Sequence, residues 1–151
     1  MTLTMTPSIT VPTNISHAHE HDNTHDHSHH RPVELSQEFI SKYEAQESPL
    51  SPMGTFVFYR TYSRFSTKLG RRETWIEACK RAVEYNVGLA YDHMLKIGYT
   101  ADLEELNVEA EALFDSMYNT KQFVSGRTLW IGGGENAVAE KYPLANYNCS
   151  F

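Results

Sequence analysis

The sequence has few cysteines, little excess positive charge and no long apolar run. Two cysteines in 151 residues are too few for the disulfide framework of a small secreted protein. The first residues carry neither the positive n-region nor the continuous apolar core of a secretory signal, and no later stretch approaches the roughly 18 apolar residues of a membrane span. We therefore expect a cytoplasmic protein with no membrane partner.

The balance of charge is acidic. Thirteen Lys and Arg against nineteen Asp and Glu give a formal net charge of −6, which argues against DNA or RNA as a partner. One basic run nevertheless occurs, and it consists of Arg60, Arg64, Lys68, Arg71 and Arg72. Such a run usually forms a solvated or ion-paired face, and the alternative is a contact with phosphate groups.

The first 32 residues are poor in apolar side chains, so we predict a disordered N-terminal tail. Residues 17–30 hold seven of the eight histidines, mixed with three acidic residues. Imidazoles and carboxylates together can bind zinc, nickel or copper, but this irregular spacing defines no single tetrahedral set. We interpret the tail as a solvated extension, with a metal-binding or interaction protein that works through this tail as the alternative.

A short helix is predicted at the start of the part that can fold. Ser36 is a suitable N-cap, and the Ser-Pro pairs in residues 48–52 end the helix. Its apolar face consists of Phe39, Ile40 and Tyr43. Residues 56–65 have the aromatic and β-branched composition of a strand but no sequential partner strand. The sequence leaves two possibilities for these residues, which are a strand and an irregular segment packed on the helices.

Two long amphipathic helices are predicted after residue 72. In the first, apolar residues recur at steps of three and four and include Cys79, which we interpret as a small core residue. Its opposite, charged face consists of Glu77, Lys80, Arg81 and Glu84. Residues 98–100 break this helix and Asp102 caps the next one. Because the connection is short, the two helices should pack as an antiparallel pair.

The last 25 residues differ from the helical part. Residues 128–131 are the best strand candidate in the chain, and a triple glycine follows at residues 132–134. Without a following Gly-Lys-Ser/Thr, these glycines predict a turn that lets the backbone approach another group closely. The sequence then reaches Cys149 through a polar stretch, two residues before its end. A catalytic thiol needs partner groups, so we expect the chain to be one part of an enzyme.

Five stretches resemble the N-terminal region of the adenosylcobalamin-dependent (class II) ribonucleotide reductases, in the same order. They are LSQEFI (35–40), YRTYSRF (59–65), GRRETWIEACKRAVEYNVGL (70–89), EALFDSMYNTKQFVSGRTLWIGG (111–133) and NYNCSF (146–151). Cys149 alone does not separate this class from its oxygen-dependent relative, which uses an equivalent thiol. The longer motifs favour class II.

The resemblance implies a mainly α N-terminal region that leads into the first strand of a ten-stranded α/β barrel, the rest of which is absent from this sequence. It divides the chain into a disordered His-rich tail (1–32), a helical N-terminal domain (33–126) and the start of the catalytic barrel (127–151). The remainder of the reductase would then be a second chain or a spliced continuation. A truncated reading frame is the third explanation, and in each case the chain should be inactive on its own.

The resemblance also implies a reaction. In this family the cobalt–carbon bond of adenosylcobalamin breaks, a cysteine thiyl radical takes the 3′ hydrogen of the ribonucleotide, and a pair of thiols reduces the 2′ carbon. Cys149 matches one of these two substrate-reducing thiols, and Thr128 matches a substrate contact. A dithiol such as thioredoxin would restore the pair, and the cofactor-binding residues would lie outside this chain. The basic run from Arg60 to Arg72 would be a candidate contact for deoxynucleotide effectors.

Overall fold

The computed structural model describes residues 33–135 and 138–147, which are mainly helical. The helices are α1 (Gln37–Glu44), α2 (Pro52–Val57), a π-helix (Phe58–Tyr62), α3 (Trp75–Lys96), α4 (Leu103–Tyr118), α5 (Gly126–Ile131), α6 (Val138–Lys141) and a 3₁₀-helix (Pro143–Asn146). Strands β1 (Phe65–Ser66) and β2 (Arg71–Arg72) form a small antiparallel hairpin. Of the helices in these ranges, none is long and apolar enough to cross a membrane. The predicted His-rich tail lies outside the described residues.

The prediction for α1 is confirmed. The Ser36 hydroxyl accepts a hydrogen bond from the Phe39 backbone N–H at 3.1 Å, which satisfies a free donor of the first turn. The Tyr43 and Phe114 rings pack edge to face, with 4.9 Å between their centres. The Tyr43 hydroxyl donates to the Asp115 carboxylate at 3.0 Å. The aromatic face of α1 therefore packs on α4.

Helices α3 and α4 form the predicted antiparallel pair. Asp102 caps α4, as the sequence indicated, and Thr74 caps α3 in a capping box with Glu77 that the sequence analysis did not identify. The indole N–H of Trp75, at the start of α3, donates to the carbonyl oxygen of Tyr118, at the end of α4, at 3.1 Å. This bond joins opposite ends of the two helices and fixes their relative direction. Their facing side chains form most of the core.

The prediction that Arg81 lies on the charged face of α3, opposite its buried stripe, is wrong. Its side chain is only 9% exposed, because it pairs with Glu73 just before the helix and reaches the segment after α4. Periodicity places Arg81 correctly relative to its neighbours on α3. It cannot show that another part of the chain covers this side of the helix.

The structure answers the open question about residues 56–65. They continue α2 through the π-helix and end in the two-residue strand β1. The N-cap is Ser51, with Pro52 at the first helical position, a combination that starts helices well because proline needs no donor there. The Ser-Pro pair that was expected only to end α1 therefore also begins the next helix.

The strand predicted over residues 128–131 is wrong, because these residues form part of α5. Ser125 caps this helix by accepting from the Thr128 backbone N–H at 3.1 Å. Leu129 packs into the main core, whereas Ile131 joins Tyr85 and Ala139 in a second, smaller cluster. The cap and these contacts outweigh the strand propensity of a short segment. The ten-stranded barrel itself stays a prediction.

Candidate functional site

The resemblance gives roles in the reaction to two residues, of which the structure describes one. Thr128 lies half-buried in the first turn of α5, and its hydroxyl is 2.8 Å from the hydroxyl of Ser125. Cys149 lies outside the described residues, which end at residue 147. The structure therefore describes residues 126–135 and 138–147 of the segment that leads to the candidate thiol.

A buried ion pair holds the start of this segment against α3. The Arg81 guanidinium donates to both carboxylate oxygens of Glu73, at 2.9 Å from Nε and 2.5 Å from Nη2. It also donates to two backbone carbonyl oxygens, at 2.8 Å to Leu129 and 2.6 Å to Gly132. A buried charge is costly unless it is paired and hydrogen-bonded. The Arg81 guanidinium is paired with Glu73 and also hydrogen-bonded to the two carbonyl groups. Arg81 thus joins α3 to the C-terminal end of α5.

Arg64 makes a second connection to the triple glycine. Its Nη1 donates to the carbonyl oxygen of Gly133 at 2.6 Å, and its backbone N–H donates to Glu73 at 3.1 Å. Burial, and then the nearby positive charge of Arg81, lower the pKa of Arg64. The Glu73 carboxylate therefore accepts from the Arg81 guanidinium and from the Arg64 backbone N–H, and each of the two guanidinium groups donates to a glycine carbonyl oxygen.

Glu135 binds the turn of the β1–β2 hairpin. Its carboxylate accepts from the Ser66 hydroxyl at 2.6 Å, and from the Thr67 backbone N–H at 3.1 Å. Hydrogen bonds from the Ser66 and then the Thr67 side chain lower the pKa of Glu135 from 4.5 to about 2. The hairpin turn therefore binds Glu135, just after residues 132–134, whereas α3 binds the Gly132 carbonyl oxygen through Arg81.

Close contact explains why glycine occurs at residue 132. A Cβ atom there would lie 2.7 Å from Cδ1 of Tyr85 and 2.7 Å from the carbonyl oxygen of Thr128. Gly133 and Gly134 have φ of 66° and 84°, which favour glycine. The prediction that these glycines let the backbone approach another group closely is confirmed, and the group is the Tyr85 ring.

The last described turn is also connected to α3 and α5. The side-chain amide of Asn146 donates to the Tyr85 hydroxyl at 3.3 Å, and Arg127 donates to the carbonyl oxygen of Ala145 at 3.2 Å. Ala139, in α6, packs against Tyr85 and Ile131. These contacts hold the last part of the described chain, which ends two residues before Cys149 in the sequence.

The basic run does not form one patch of solvated cations. Arg71 makes a two-pronged salt bridge with Glu77, at 2.8 Å for each bond, and Arg72 donates to the carbonyl oxygen of Ser63. Arg60 lies over the Phe56 ring, 5.8 Å from its centre. The ion-paired interpretation is confirmed for Arg71, and Arg64 belongs to the glycine contact already described.

The interpretation of Cys79 as a core residue is confirmed. Its side chain is fully buried, and burial raises the pKa of the thiol well above its usual range. A thiol that stays protonated is a poor nucleophile. Cys79 is therefore unsuited to redox chemistry in this fold.

The sequence did not single out Glu73, Arg81 or Tyr85 as site residues. The available signal was chemical: an arginine and a tyrosine lie four residues apart on α3, next to a stripe of core residues. Neither residue type is usually buried without a hydrogen-bond partner. The partners are the carbonyl groups of Leu129 and Gly132 for Arg81 and the Asn146 amide for Tyr85, and helical periodicity reveals neither.

Comparisons with known proteins agree with the resemblance in the sequence. A family model described as the ribonucleotide reductase alpha domain matches residues 35–134. The adenosylcobalamin-dependent ribonucleoside-triphosphate reductases of Lactobacillus leichmannii and Levilactobacillus brevis are each 38% identical, over 103 and 104 residues. A crystal structure of a B12-dependent (class II) ribonucleotide reductase matches with a TM-score of 0.59 and 36% identity over 68% of this chain. The matched region is 67% of this chain and only 14% of the length of those two relatives.

Proposed function

The chain belongs to the family of the ribonucleotide reductase alpha domain, and we propose that it supplies the N-terminal part of a reductase that converts ribonucleotides to deoxyribonucleotides. The observation that carries this proposal is the match to a class II reductase structure, at 36% identity and a TM-score of 0.59. The family model matches residues 35–134, which include the helices whose side chains hold the glycine segment. The chain spans about one-seventh of its relatives' length, so the full activity requires the remainder of the enzyme.

Cys149 is proposed as one of two substrate-reducing thiols. Two thiols lose two electrons and two protons when they form a disulfide, and the ribonucleotide gains these while its 2′ hydroxyl leaves as water. The balanced change is therefore ribonucleotide plus dithiol to deoxyribonucleotide, disulfide and water. The second thiol, and the cysteine whose thiyl radical takes the 3′ hydrogen, belong to the remainder of the enzyme. The exclusion of Cys79 by its burial supports this role for Cys149.

Thr128 is proposed as a substrate contact. Its hydroxyl lies at the first turn of α5 beside the Ser125 hydroxyl, and both groups can donate or accept. The exposed neighbour Gly126 borders a cleft of about 310 Å³ that is also lined by Arg127 and Trp130. A polar turn next to an open cleft is consistent with binding a hydroxylated or phosphorylated substrate.

Adenosylcobalamin is the proposed cofactor, because the names of the similar reductases specify it. Three clefts among residues 33–135 and 138–147 have volumes of about 170, 190 and 310 Å³, and none of these three is large enough to enclose a corrinoid. We assign its binding to the remainder of the reductase.

The proposed partners follow from this incomplete site. They are the remainder of the reductase, as a second chain or a spliced continuation, a ribonucleotide, and a dithiol reductant such as thioredoxin in the cytoplasm. Residues 127–151 are proposed as the start of the catalytic barrel. The described part of this segment begins with α5 packed on α3, so the helical domain would support the barrel entrance directly.

The direct test removes the proposed thiol. The complete reductase, with adenosylcobalamin and thioredoxin as reductant, would be assayed for deoxyribonucleotide formation from ribonucleoside diphosphates and triphosphates. Cys149→Ser should abolish turnover while leaving the circular dichroism spectrum unchanged. Cys79→Ala is the matched control, because it removes the other thiol of the chain and should leave turnover intact at a permissive temperature. Turnover by Cys149→Ser with thioredoxin would disprove the proposed role.

A further inference from the structure

We propose that the cleft between the π-helix and α5 binds a nucleotide, with Trp130 stacking on the base and Arg127 pairing with a phosphate group. The cleft has a volume of about 310 Å³ and is lined by Thr61, Tyr62, Gly126, Arg127 and Trp130. This inference rests on the proposed function only for which nucleotide is bound. The cleft itself consists of described residues.

Trp130 supplies an apolar ring to the cleft. It is 50% exposed, although its neighbours Leu129 and Ile131 are buried in the two core clusters. The core therefore leaves half of this large residue accessible. Bases of every kind stack on exposed aromatic rings, because each base has a π face. Trp130 is thus suited to bind a base without selecting its identity.

Arg127 supplies a positive charge on the same side of α5. It lies three residues before Trp130, so the two side chains are neighbours on one face of the helix. Its Nη1 donates to the carbonyl oxygen of Ala145 at 3.2 Å, which fixes the guanidinium beside the cleft. A guanidinium has five N–H donors, and this bond uses one of them. Because none of the five lining residues is acidic, the lining offers Arg127 no carboxylate, and a phosphate group can pair with it.

The other wall of the cleft is the end of the π-helix, a rare element that occurs frequently at functional sites. A Cβ atom on Gly126 would lie 3.2 Å from the hydroxyl oxygen of Tyr62 and 3.3 Å from its Cε1. Glycine at this position therefore lets the Tyr62 ring lie close to α5. The hydroxyls of Thr61 and Tyr62 can each donate and accept, as recognition of a ribose or of a base edge requires.

The combination of these groups identifies the class of ligand. An aromatic ring, a guanidinium and two hydroxyls fit a molecule that has a planar ring, an anionic group and polar edges, and a nucleotide has all three. Inorganic phosphate would use Arg127 alone, and a nucleoside would not use it. The volume of about 310 Å³ is at the lower end of the range of small-molecule sites, which suits one nucleotide.

The test is isothermal titration calorimetry of the 151-residue chain with ATP, dATP, adenosine and tripolyphosphate. We expect ATP to bind at least about tenfold more tightly than adenosine or tripolyphosphate, because each of these lacks one of the two main contacts. The affinity for ATP should also fall as the salt concentration rises, since the phosphate contact is between charges. No binding of ATP at millimolar concentration would overturn the proposal, and equal binding of ATP and tripolyphosphate would overturn the stacking on Trp130.

Two variants assign the two contacts. Arg127→Gln should weaken ATP binding at least about tenfold and leave adenosine binding unchanged, whereas Trp130→Ala should weaken both. The matched controls are Lys96→Gln, which removes one positive charge, and Tyr99→Ala, which removes one exposed aromatic ring. Both controls lie at the C-terminal end of α3 and outside the cleft lining, so they should bind ATP as the parent does. Equal losses in a variant and its control would contradict recognition by the cleft.

A further variant keeps the test decisive if circular dichroism shows that Arg127→Gln has unfolded. Arg127→Lys retains the charge and loses the two-pronged geometry of the guanidinium. It should bind ATP severalfold more weakly than the parent and adenosine equally well. An ATP affinity equal to that of the parent would contradict pairing between the guanidinium and a phosphate group.

The comparison of ATP with dATP identifies the nucleotide. Tighter binding of ATP assigns the cleft to the ribonucleotide substrate, and equal or tighter binding of dATP assigns it to a deoxynucleotide effector, and both results support a nucleotide site. Cys149→Ser should bind ATP as the parent does, which separates this inference from the proposed function. If Cys149→Ser loses turnover but the parent chain binds no ATP, only this inference is wrong. If the parent binds ATP but Cys149→Ser stays active, only the proposed role of the thiol is wrong.

Discussion

At the scale of single residues, the C-terminal segment depends on a few polar side chains that each make several contacts. Arg81 alone satisfies two backbone carbonyl groups and one carboxylate. A buried ion pair contributes little net stability by itself, because the loss of hydration opposes the attraction. Its effect here is geometric, since any other position of residues 129–132 would leave the Arg81 charge without part of its hydrogen bonding. The amphipathic pattern of α3 could not predict this, because two of the three groups that Arg81 binds are backbone carbonyl groups.

Gly132→Ala should destabilise the chain by about 1–3 kcal/mol, because the new methyl group would overlap the Tyr85 ring and the Thr128 carbonyl oxygen. Gly88→Ala is the matched control within α3. A Cβ atom there meets no atom within 4 Å, so alanine should stabilise the helix by up to about 1 kcal/mol. Urea unfolding followed by circular dichroism would measure both changes. Equal effects of the two substitutions would show that the Tyr85 contact does not constrain Gly132.

At the scale of elements, α1 and the long helices α3 and α4 were predictable, whereas the six-residue helices α2 and α5 were not. The N-cap of α4 could be read directly from Asp102, and the apolar stripes of α3 and α4 extend over several turns. Helix α5 has only six residues, too few for a periodic pattern to appear. Its apolar and β-branched residues therefore resembled a strand. The signal that indicates a helix is Ser125, which makes a local capping bond. This cap is sufficient only because Leu129 and Ile131 are also buried by packing.

Ser125→Ala should cost about 1 kcal/mol of unfolding free energy, because the Thr128 N–H then loses its acceptor at the start of α5. The hydroxyl of Thr128 loses its neighbour in the same change. Ser41→Ala is a suitable control, since that exposed serine lies inside α1 and caps no helix. The difference between the two variants in urea midpoint isolates the capping bond. If Ser125→Ala is no less stable than the control, the cap does not determine this helix.

At the scale of the whole molecule, the order of short motifs along the chain predicted the family before the fold was known. The order is defined by five stretches within residues 35–151, so the family prediction did not depend on the one strand that was wrongly assigned. The barrel stays a prediction, because a closed sheet requires partner strands that the described residues do not contain. Within residues 33–135 and 138–147, the only strands are the two of the hairpin. The helical part is thus explained by local signals, whereas the proposed active site would require residues beyond those that the structure describes.

The unfolding free energy of the whole chain should fall as the solution becomes acidic, because folding lowers the pKa of several carboxyl groups. The hydrogen bond from Arg71 lowers the pKa of Glu77 from 4.5 to about 2, and Glu135 shifts in the same direction. When a folded-state pKa is lowered, the unfolded chain binds protons first as the pH falls. The stabilisation is therefore complete above about pH 4.5 and is lost as the pH falls through about 2.

Glu77→Gln should make this dependence on pH less steep. Glutamine keeps the length of the side chain and can still accept the capping bond from the Thr74 backbone N–H, but it has no charge to pair with Arg71. The variant should be less stable than the parent at pH 7 and should approach it as the pH reaches about 2. Glu109→Gln, on the exposed side of α4, should keep the parent's slope. Urea unfolding at a series of pH values measures all three proteins, and parallel curves for Glu77→Gln and the parent would show that the Arg71 pair does not contribute to acid sensitivity.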